Sequence, residues 1–384
     1  MAERSKPSVL IVTRNLPPLW GGMEQLNWHM VDELAQRAVV RVVGPSGSAE
    51  GMPTGVEVLE VQLRPLSRFL LNAFSKTIKL ARRWRPDVVL AGSGLTAPIA
   101  WWAARASGAK SAAYVHGLDV AVANTLYRCF WVRALRRMDC VIANSRATAQ
   151  LAQHAGIDPA KIKIVNPGVS LPNRSIDRDA AARLREEKKW GTRSLLLSVG
   201  RLTSRKGLRE FVEDVLPKIV SRRPDVLLLI VGEAPADSLH AAIQTAESIQ
   251  LAASKAGVAG NLEFLGVVTD RDRLATIYET ADVHVFPVRS IPNDPEGFGM
   301  VAIEAAAHGL PTVAYATGGI ADAVAEGVSG YLLKPEDGMA FADTVERLLN
   351  QPFPDEAIRT FAKRFDWGRF GNEIWQALFE DCAP

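Results

Sequence analysis

The chain has 384 residues, 48% of them apolar, and a formal net charge of +3. That length exceeds the roughly 100 to 200 residues of one domain, so two cores are expected, and no run approaches the ~18 uninterrupted apolar residues of a membrane span. The charge is uneven, with 21 Lys and Arg against 11 Asp and Glu through residue 170 and 24 against 31 after it, which turns the first half toward something anionic.

The opening MAERSKPSVLIV lacks the small-residue cleavage site of a secretory signal, and a cytoplasmic location is expected. Residues 8–13, SVLIVT, read as a buried strand and 22–37 as an amphipathic helix. Strands at 39–43 and 56–61 follow, then helix 67–84, strand 87–91, helix 97–106, strand 111–115, helix 124–137, strand 140–143, helix 145–154 and strand 161–165. This alternation predicts a doubly wound parallel sheet. Residues 170–192 are polar and then helical, and mark the boundary between domains 1–170 and 171–365. A second alternation places strands at 195–199, 226–231, 262–265, 283–286, 312–315 and 330–333. Its helices are expected at 208–221, 238–256, 272–280 and 320–326, with an amphipathic helix from 365 to 379 at the end. Cys129, Cys140 and Cys382 are widely spaced and spell neither a disulfide framework nor a zinc site; reduced, structural thiols are expected.

Open parallel sheets bind ligands at the carboxyl ends of their strands, so chemistry is sought in the strand-to-helix loops. The first such loop is Pro17-Pro18-Leu19-Trp20-Gly21-Gly22, whose paired glycines before a helix expose N–H groups suited to a phosphate or sugar oxygen, or simply make a tight turn. It is not G-x-G-x-x-G. His116-Gly117-Leu118-Asp119 follows strand 111–115, and Asn144-Ser145 reads as a helix cap. Gly200 to Gly207, GRLTSRKG, carries Arg201, Arg205 and Lys206, cations that suit a diphosphate and the charge growing on a departing nucleotide. Residues 294–305, DPEGFGMVAIEA, hold two carboxylates with different settings. Glu296 lies on a loop broken by Gly297 and Gly299, where the backbone can approach a ligand, whereas Glu304 lies more than one turn into an apolar helix whose free N–H groups favour an anion.

Asp177-Arg178-Asp179 and Asp270-Arg271-Asp272 both spell D-x-D, a metal and diphosphate motif, but each precedes a helix and reads as a cap. Residues 64–85 carry seven Lys and Arg and no acid, interleaved with Leu, Phe, Ile and Trp, and 128–137 are similar. Such helices either lie in the interface of an anionic membrane or bury an apolar side beneath solvated cations. No nucleic-acid motif accompanies the charge.

The run E-G-F-G-x-x-x-x-E, followed by H-G and P-T-V, resembles the signature of the retaining glycosyltransferases of the GT4 family, and the likeness extends over essentially the whole chain. It implies an α/β GT-B fold, two Rossmann-like parallel-sheet domains facing across a cleft, with the acceptor on the first, the nucleotide sugar on the second, and residues 366–384 packing back on the first. In that family Arg201 and Lys206 match the diphosphate-binding pair, with Arg205 at the variable position; Glu304 matches the ribose ligand, and Glu296 and His116 match groups that hold the donor sugar. Gly21, Gly22, Gly297, Phe298 and Gly299 complete the implied donor site, and Gly22 and Asp119 the acceptor side. Gly232-Glu233-Ala234-Pro235 departs from the family's G-x-G-P at Ala234, and residues 265–268 and 286–287 resemble its base-binding segments.

The implied activity is retaining, metal-independent hexosyl transfer from GDP-mannose or GDP-rhamnose to a lipid-linked glycan acceptor at the inner face of a membrane, in surface polysaccharide assembly. No cofactor, no metal and no nucleic acid are expected. Transfer from UDP-glucose or UDP-N-acetylglucosamine, and nucleotide-sugar 2-epimerisation on the same fold, are the alternatives.

Overall fold

The computed structural model describes residues 6–19, 21–122, 124–234 and 243–380. The chain divides into two compact units, Met1–Gly168 with Trp367–Pro384, and Val169–Asp366. Trp20, Pro235, Cys382 and the expected helical residues 238–242 lie outside the described residues.

The first unit is built on β1 (Ser8–Val12), β2 (Val39–Pro45), β3 (Glu57–Val61), β4 (Val88–Ala91), β5 (Lys110–Val115), β6 (Cys140–Ala143) and β7 (Ile162–Ile164), parallel throughout and ordered β3-β2-β1-β4-β5-β6-β7. Its central strands are apolar without interruption because both faces are covered. Leu10, Val12, Val89 and Ala91 point to one face, beneath helices Leu66–Trp84 and Ala97–Ser107. Val9, Ile11, Val88 and Leu90 point to the other, where they join Leu26, Met30 and Leu34 of helix Gly22–Ala35 and Phe370, Ile374, Ala377 and Leu378 of helix Trp367–Phe379.

The second unit repeats the plan with β8 (Leu195–Val199), β9 (Leu227–Val231), β10 (Leu262–Gly266), β11 (Val283–Phe286), β12 (Thr312–Tyr315) and β13 (Gly330–Leu333), parallel and ordered β10-β9-β8-β11-β12-β13. The α/β reading and the parallel sheets are therefore borne out. Strand order reverses between β1 and β4 in one sheet and between β8 and β11 in the other. Beyond the carboxyl ends of such strand pairs an open sheet leaves a crevice. Within the second unit the Val169 N–H donates to the Phe365 carbonyl at 2.6 Å, so its first and last residues are neighbours.

Several helices differ from expectation. The expected helix 208–221 is two, Leu208–Asp214 and Leu216–Arg222, because Pro217 has no N–H to continue the ladder. Residues 124–137 form three short pieces, a turn Thr125–Tyr127 capped by Asn124, a π-turn Arg128–Val132 and a helix Arg133–Arg137. Of the expected helix 238–256 the described residues show Ala246–Lys255, at whose start Thr245 and Ser248 form a capping box. Ile243 instead bridges to Thr203, and the Gln244 N–H donates to the Leu202 carbonyl. The helix expected through Glu326 stops at Ala323, since Glu326 turns to accept from the Leu332 N–H at 2.8 Å. Cys140 is buried as a structural thiol, but Cys129 is exposed on the π-turn.

Candidate functional site

In the second unit the loop after β8 and the loop after β11 meet at the place where strand order reverses. Glycines permit the approach. Gly207 has φ +69°, and a Cβ on it would lie 2.1 Å from the Pro287 carbonyl oxygen; alongside, the Arg289 N–H donates to the Arg205 carbonyl at 2.9 Å. From the other side the Gly319 N–H donates to the Glu296 carbonyl at 2.9 Å. A Cβ on Gly318 or Gly319 would lie 2.4 Å from the Glu296 oxygen or 2.0 Å from the Gly297 oxygen. Glu296 is thus fixed through its backbone by neighbours that have no side chains.

Its carboxylate is fixed by two cations. Glu296 Oε2 accepts from Lys206 Nζ at 2.9 Å and from Arg205 Nη1, and Arg205 Nε lies 3.3 Å from Asp294 Oδ1. Lys206 Nζ also sits 4.7 Å over the Phe286 ring. These side chains are largely buried, with Lys206 at 18% exposure and Glu296 at 11%. Burial, and then the neighbouring Arg205 and Arg201 guanidiniums, push the Lys206 ammonium well below the usual lysine range, against Glu304 and Asp294. Arg201 itself is exposed. Arg205, one of the loop's three cations and at the position the family likeness leaves variable, is the arginine that grips Glu296, and the short turn Ser204–Lys206 ending at left-handed Gly207 aims it there together with Lys206. His284, buried on β11 with Nδ1 3.0 Å from Thr312 Oγ1, is pushed down to about 3 by burial and by Lys206, and stays neutral.

Glu304 belongs to helix Met300–Ala307, which follows Gly299 at φ +94°. Its Oε2 accepts from the Tyr278 hydroxyl at 3.1 Å. Burial pushes this carboxyl up, while the Tyr278 bond and Lys206 pull it down. Phe298 is buried beside Ile320 in the core below the loop. In the sequence Tyr278, on helix Arg271–Thr280, reads as an inward tyrosine of the core, and nothing local marks its hydroxyl as a partner of Glu304.

In the first unit the loop after β1 carries Asn15, whose Nδ2 donates to Glu24 Oε1 at 2.7 Å. The other Glu24 oxygen lies across Gly21, where a Cβ would come within 2.4 Å, and Gly22 opens the helix. His116, at the end of β5, has Nε2 3.1 Å from the Gly92 carbonyl. Asp119 accepts from the His116 N–H at 2.9 Å, so one of its oxygens is spent closing the turn. Ser145 caps its helix by accepting from the Thr148 N–H.

Both D-x-D runs are caps. Asp177 accepts from the Ala180 N–H and Asp270 from those of Asp272 and Arg273. Ala234 lies near a tight crossing all the same, because Gly232 donates to the Gly266 carbonyl at 2.8 Å and the Leu202 N–H to the Glu233 carbonyl at 2.9 Å. Helix Leu66–Trp84 buries Phe69, Ala73, Thr77 and Ala81. Its outer side shows Arg68, Lys76, Lys79, Arg82 and Arg83 beside Leu71 and Phe74, which are 71% and 39% exposed. The adjoining helix Ala97–Ser107 adds exposed Trp102, and the π-turn adds Phe130. Among the described residues no helix is long and apolar enough to cross a membrane.

Comparison with known proteins agrees over both units. Residues 181–365 match the family described as Glycosyl transferases group 1, and residues 20–172 match Glycosyltransferase Family 4. A GDP-mannose-dependent alpha-(1-6)-phosphatidylinositol monomannoside mannosyltransferase of Mycolicibacterium smegmatis is 30% identical over 361 residues, 90% of each chain. A D-inositol 3-phosphate glycosyltransferase 2 of Catenulispora acidiphila is 34% identical over 240 residues, covering 60% of this chain and 53% of the other. Among solved structures, Anabaena HepE in complex with UDP superposes with a TM-score of 0.80 at 20% identity, over 97% of this chain and 99% of that one.

Proposed function

From the premise that the chain belongs to the GT4 family of glycosyltransferases and has the GT-B fold, we propose that it transfers a hexosyl group, with retention and without metal or cofactor, from GDP-mannose or GDP-rhamnose to a lipid-linked glycan. The observation that carries this reading is the Arg205, Lys206 and Glu296 cluster at the strand-order reversal of the second unit. Arg205 and Lys206 meet Asp294 and Glu296 there, with Arg201 close enough to act on both, and cations gathered in this way suit a diphosphate and the charge that grows on it as the sugar leaves. In this reading Lys206 and Arg201 hold the diphosphate, and Glu296 accepts from donor-sugar hydroxyls. Glu304 accepts from the ribose. Arg205 keeps Glu296 oriented. His116 serves the sugar, and Gly21, Gly22 and Asp119 serve the sugar or the acceptor, as the family likeness assigns them. The acceptor hydroxyl attacks on the face the diphosphate leaves, and its proton passes to a diphosphate oxygen. The mannosyltransferase relative supports a GDP donor.

Thermal stabilisation tests the donor. At about 100 times its dissociation constant a ligand adds about 2.7 kcal/mol, which raises the unfolding temperature by several degrees. GDP is expected to do so with or without EDTA, and Lys206→Ala to abolish the rise. A rise with UDP alone would transfer the reading to a UDP-sugar, and no rise with GDP, UDP or ADP would remove it.

The exposed Leu71 and Phe74 beside five cations support contact with an anionic membrane, since apolar side chains enter the acyl boundary while cations meet headgroups. Vesicles rich in phosphatidylglycerol should sediment the protein, and Leu71→Ser with Phe74→Ser should cut the bound fraction about tenfold. Equal sedimentation of wild type with neutral and anionic vesicles would sink the membrane assignment.

A further inference from the structure

We infer that Tyr278 is a positioning residue for Glu304: its hydroxyl, held by a chain of buried groups, aims the carboxylate so that Oε1 is presented to the ribose diol of the donor. This rests on the reading of Glu304 as the ribose ligand and adds to it the group that makes the ligand selective.

The argument begins with the side chain. A glutamate on a helix has three rotatable bonds, and ordering them when ligand arrives opposes binding. Glu304 is ordered in advance, because its Oε2 accepts from the Tyr278 hydroxyl at 3.1 Å. The bond is useful only if the hydroxyl is itself fixed. Tyr278 is 2% exposed and its ring lies parallel to that of His308, with centroids 5.4 Å apart and planes 1° from parallel. His308 Nδ1 is 3.2 Å from Glu279 Oε1, and the Glu279 side chain is 1% exposed. Glu279 Oε2 is held in turn by Arg174 Nη1 at 2.9 Å and by the Asp177 N–H at 3.0 Å. A ring wedged in this way cannot swing its hydroxyl away from Glu304. Burial raises the Glu304 carboxyl above its usual range, and the Tyr278 hydroxyl and then Lys206 are the groups that favour its ionised form against that.

A site built to accept from hydroxyls rejects analogues that lack them, because its oxygen is left unpaired. Calorimetry with GDP and 2′,3′-dideoxy-GDP, and with the corresponding UDP pair, reads this directly. Wild type is expected to prefer the ribose form by at least tenfold. Tyr278→Phe keeps the ring and removes the hydroxyl; it should weaken the ribose form about tenfold, leave the dideoxy form within twofold, and bring the ratio toward one. Its ribose preference should also fade at a higher pH than in wild type as the solution is acidified, since the ionised carboxylate has lost a donor.

An unchanged ratio in Tyr278→Phe would overturn the inference and reduce the tyrosine to core packing. If wild type shows no ribose preference, the ribose role of Glu304 falls and this inference with it, while the loss of stabilisation in Lys206→Ala still scores the diphosphate reading separately. Should Tyr278→Phe fail to fold, His308→Ala removes the stacked ring and keeps the hydroxyl. It should lower the same ratio, and an unchanged ratio there overturns the inference equally.

Discussion

Lys206→Ala is expected to lower the turnover number for sugar transfer about a thousandfold, the scale on which loss of a preorganised cation facing a developing negative charge is felt, while the protein remains folded. The fold survives because Glu296 keeps Arg205 as a partner when the lysine is removed. An orphaned buried carboxylate would otherwise cost about 3 to 5 kcal/mol. Initial rates with saturating donor, read beside the unfolding temperature, separate the two effects. A variant that loses less than tenfold would remove Lys206 from the transfer step.

The same residue predicts a pH dependence with a definite sign. Burial and the adjacent guanidiniums of Arg205 and Arg201 push the free Lys206 ammonium down, whereas Glu304 and Asp294 oppose them only in part. A bound diphosphate favours the charged lysine, so above the free pKa binding takes up a proton and affinity falls as pH rises. Lys206→Arg, which stays charged throughout, should flatten that fall, although its planar fork will not restore the wild-type rate. Calorimetric titration of GDP between neutral and alkaline pH checks both statements.

Gly319→Ala should cost about 3 kcal/mol of stability and at least a hundredfold in turnover. Its new Cβ would lie 2.0 Å from the Gly297 carbonyl oxygen, 2.6 Å from the carbonyl carbon and 2.8 Å from Phe298 Cα. All three are backbone atoms, so no flexible side chain can yield, and the loop that aims Glu296 must shift. A displacement of about 1 Å in a catalytic group is enough for a hundredfold loss, and overpacking of this kind costs about 1 to 3 kcal/mol. Gly260→Ala is the control, because nothing lies within 4 Å of the position its Cβ would take. Equal turnover in the two variants would show that the turn does not set Glu296.

Much of this was legible in the sequence, for identifiable reasons. Uninterrupted apolar strands such as 9–12 can only be covered on both faces, and their alternation with helices fixed a parallel sheet before any pairing was known. The glycines around Glu296 suggest a backbone that a ligand approaches; what the structure adds is the close packing of Gly318, Gly319 and Phe286 against that loop. What was not legible depended on contacts between distant segments. Arg205 differs from Arg201 only in which of the two a turn aims inward, and that is decided by the close passage of Gly207 against Pro287. Tyr278 and Glu304 are 26 residues apart, and no local pattern distinguishes a core tyrosine from one whose hydroxyl meets a carboxylate. The break at Pro217 was readable from the missing N–H alone. The π-turn at 128–132 was not, since an added residue in a helix leaves its composition unchanged.

The chain closes the core of its first unit with residues from its far end. Phe370, Ile374, Ala377 and Leu378 fill the same apolar cluster as Ile11 and Met30, while everything from Val169 to Asp366 belongs to the other unit. A ribosome delivers a polypeptide from its amino end, and domains usually mature in that order. Here the order is inverted: the second unit has all its residues in hand while the first, begun earlier, still lacks one wall. During synthesis that half-finished sheet leaves Tyr114 and Cys140, which meet Phe370 and Ala377 of the last helix, without that cover until residue 378 arrives, and for this interval it is a client for whatever shields nascent apolar surface.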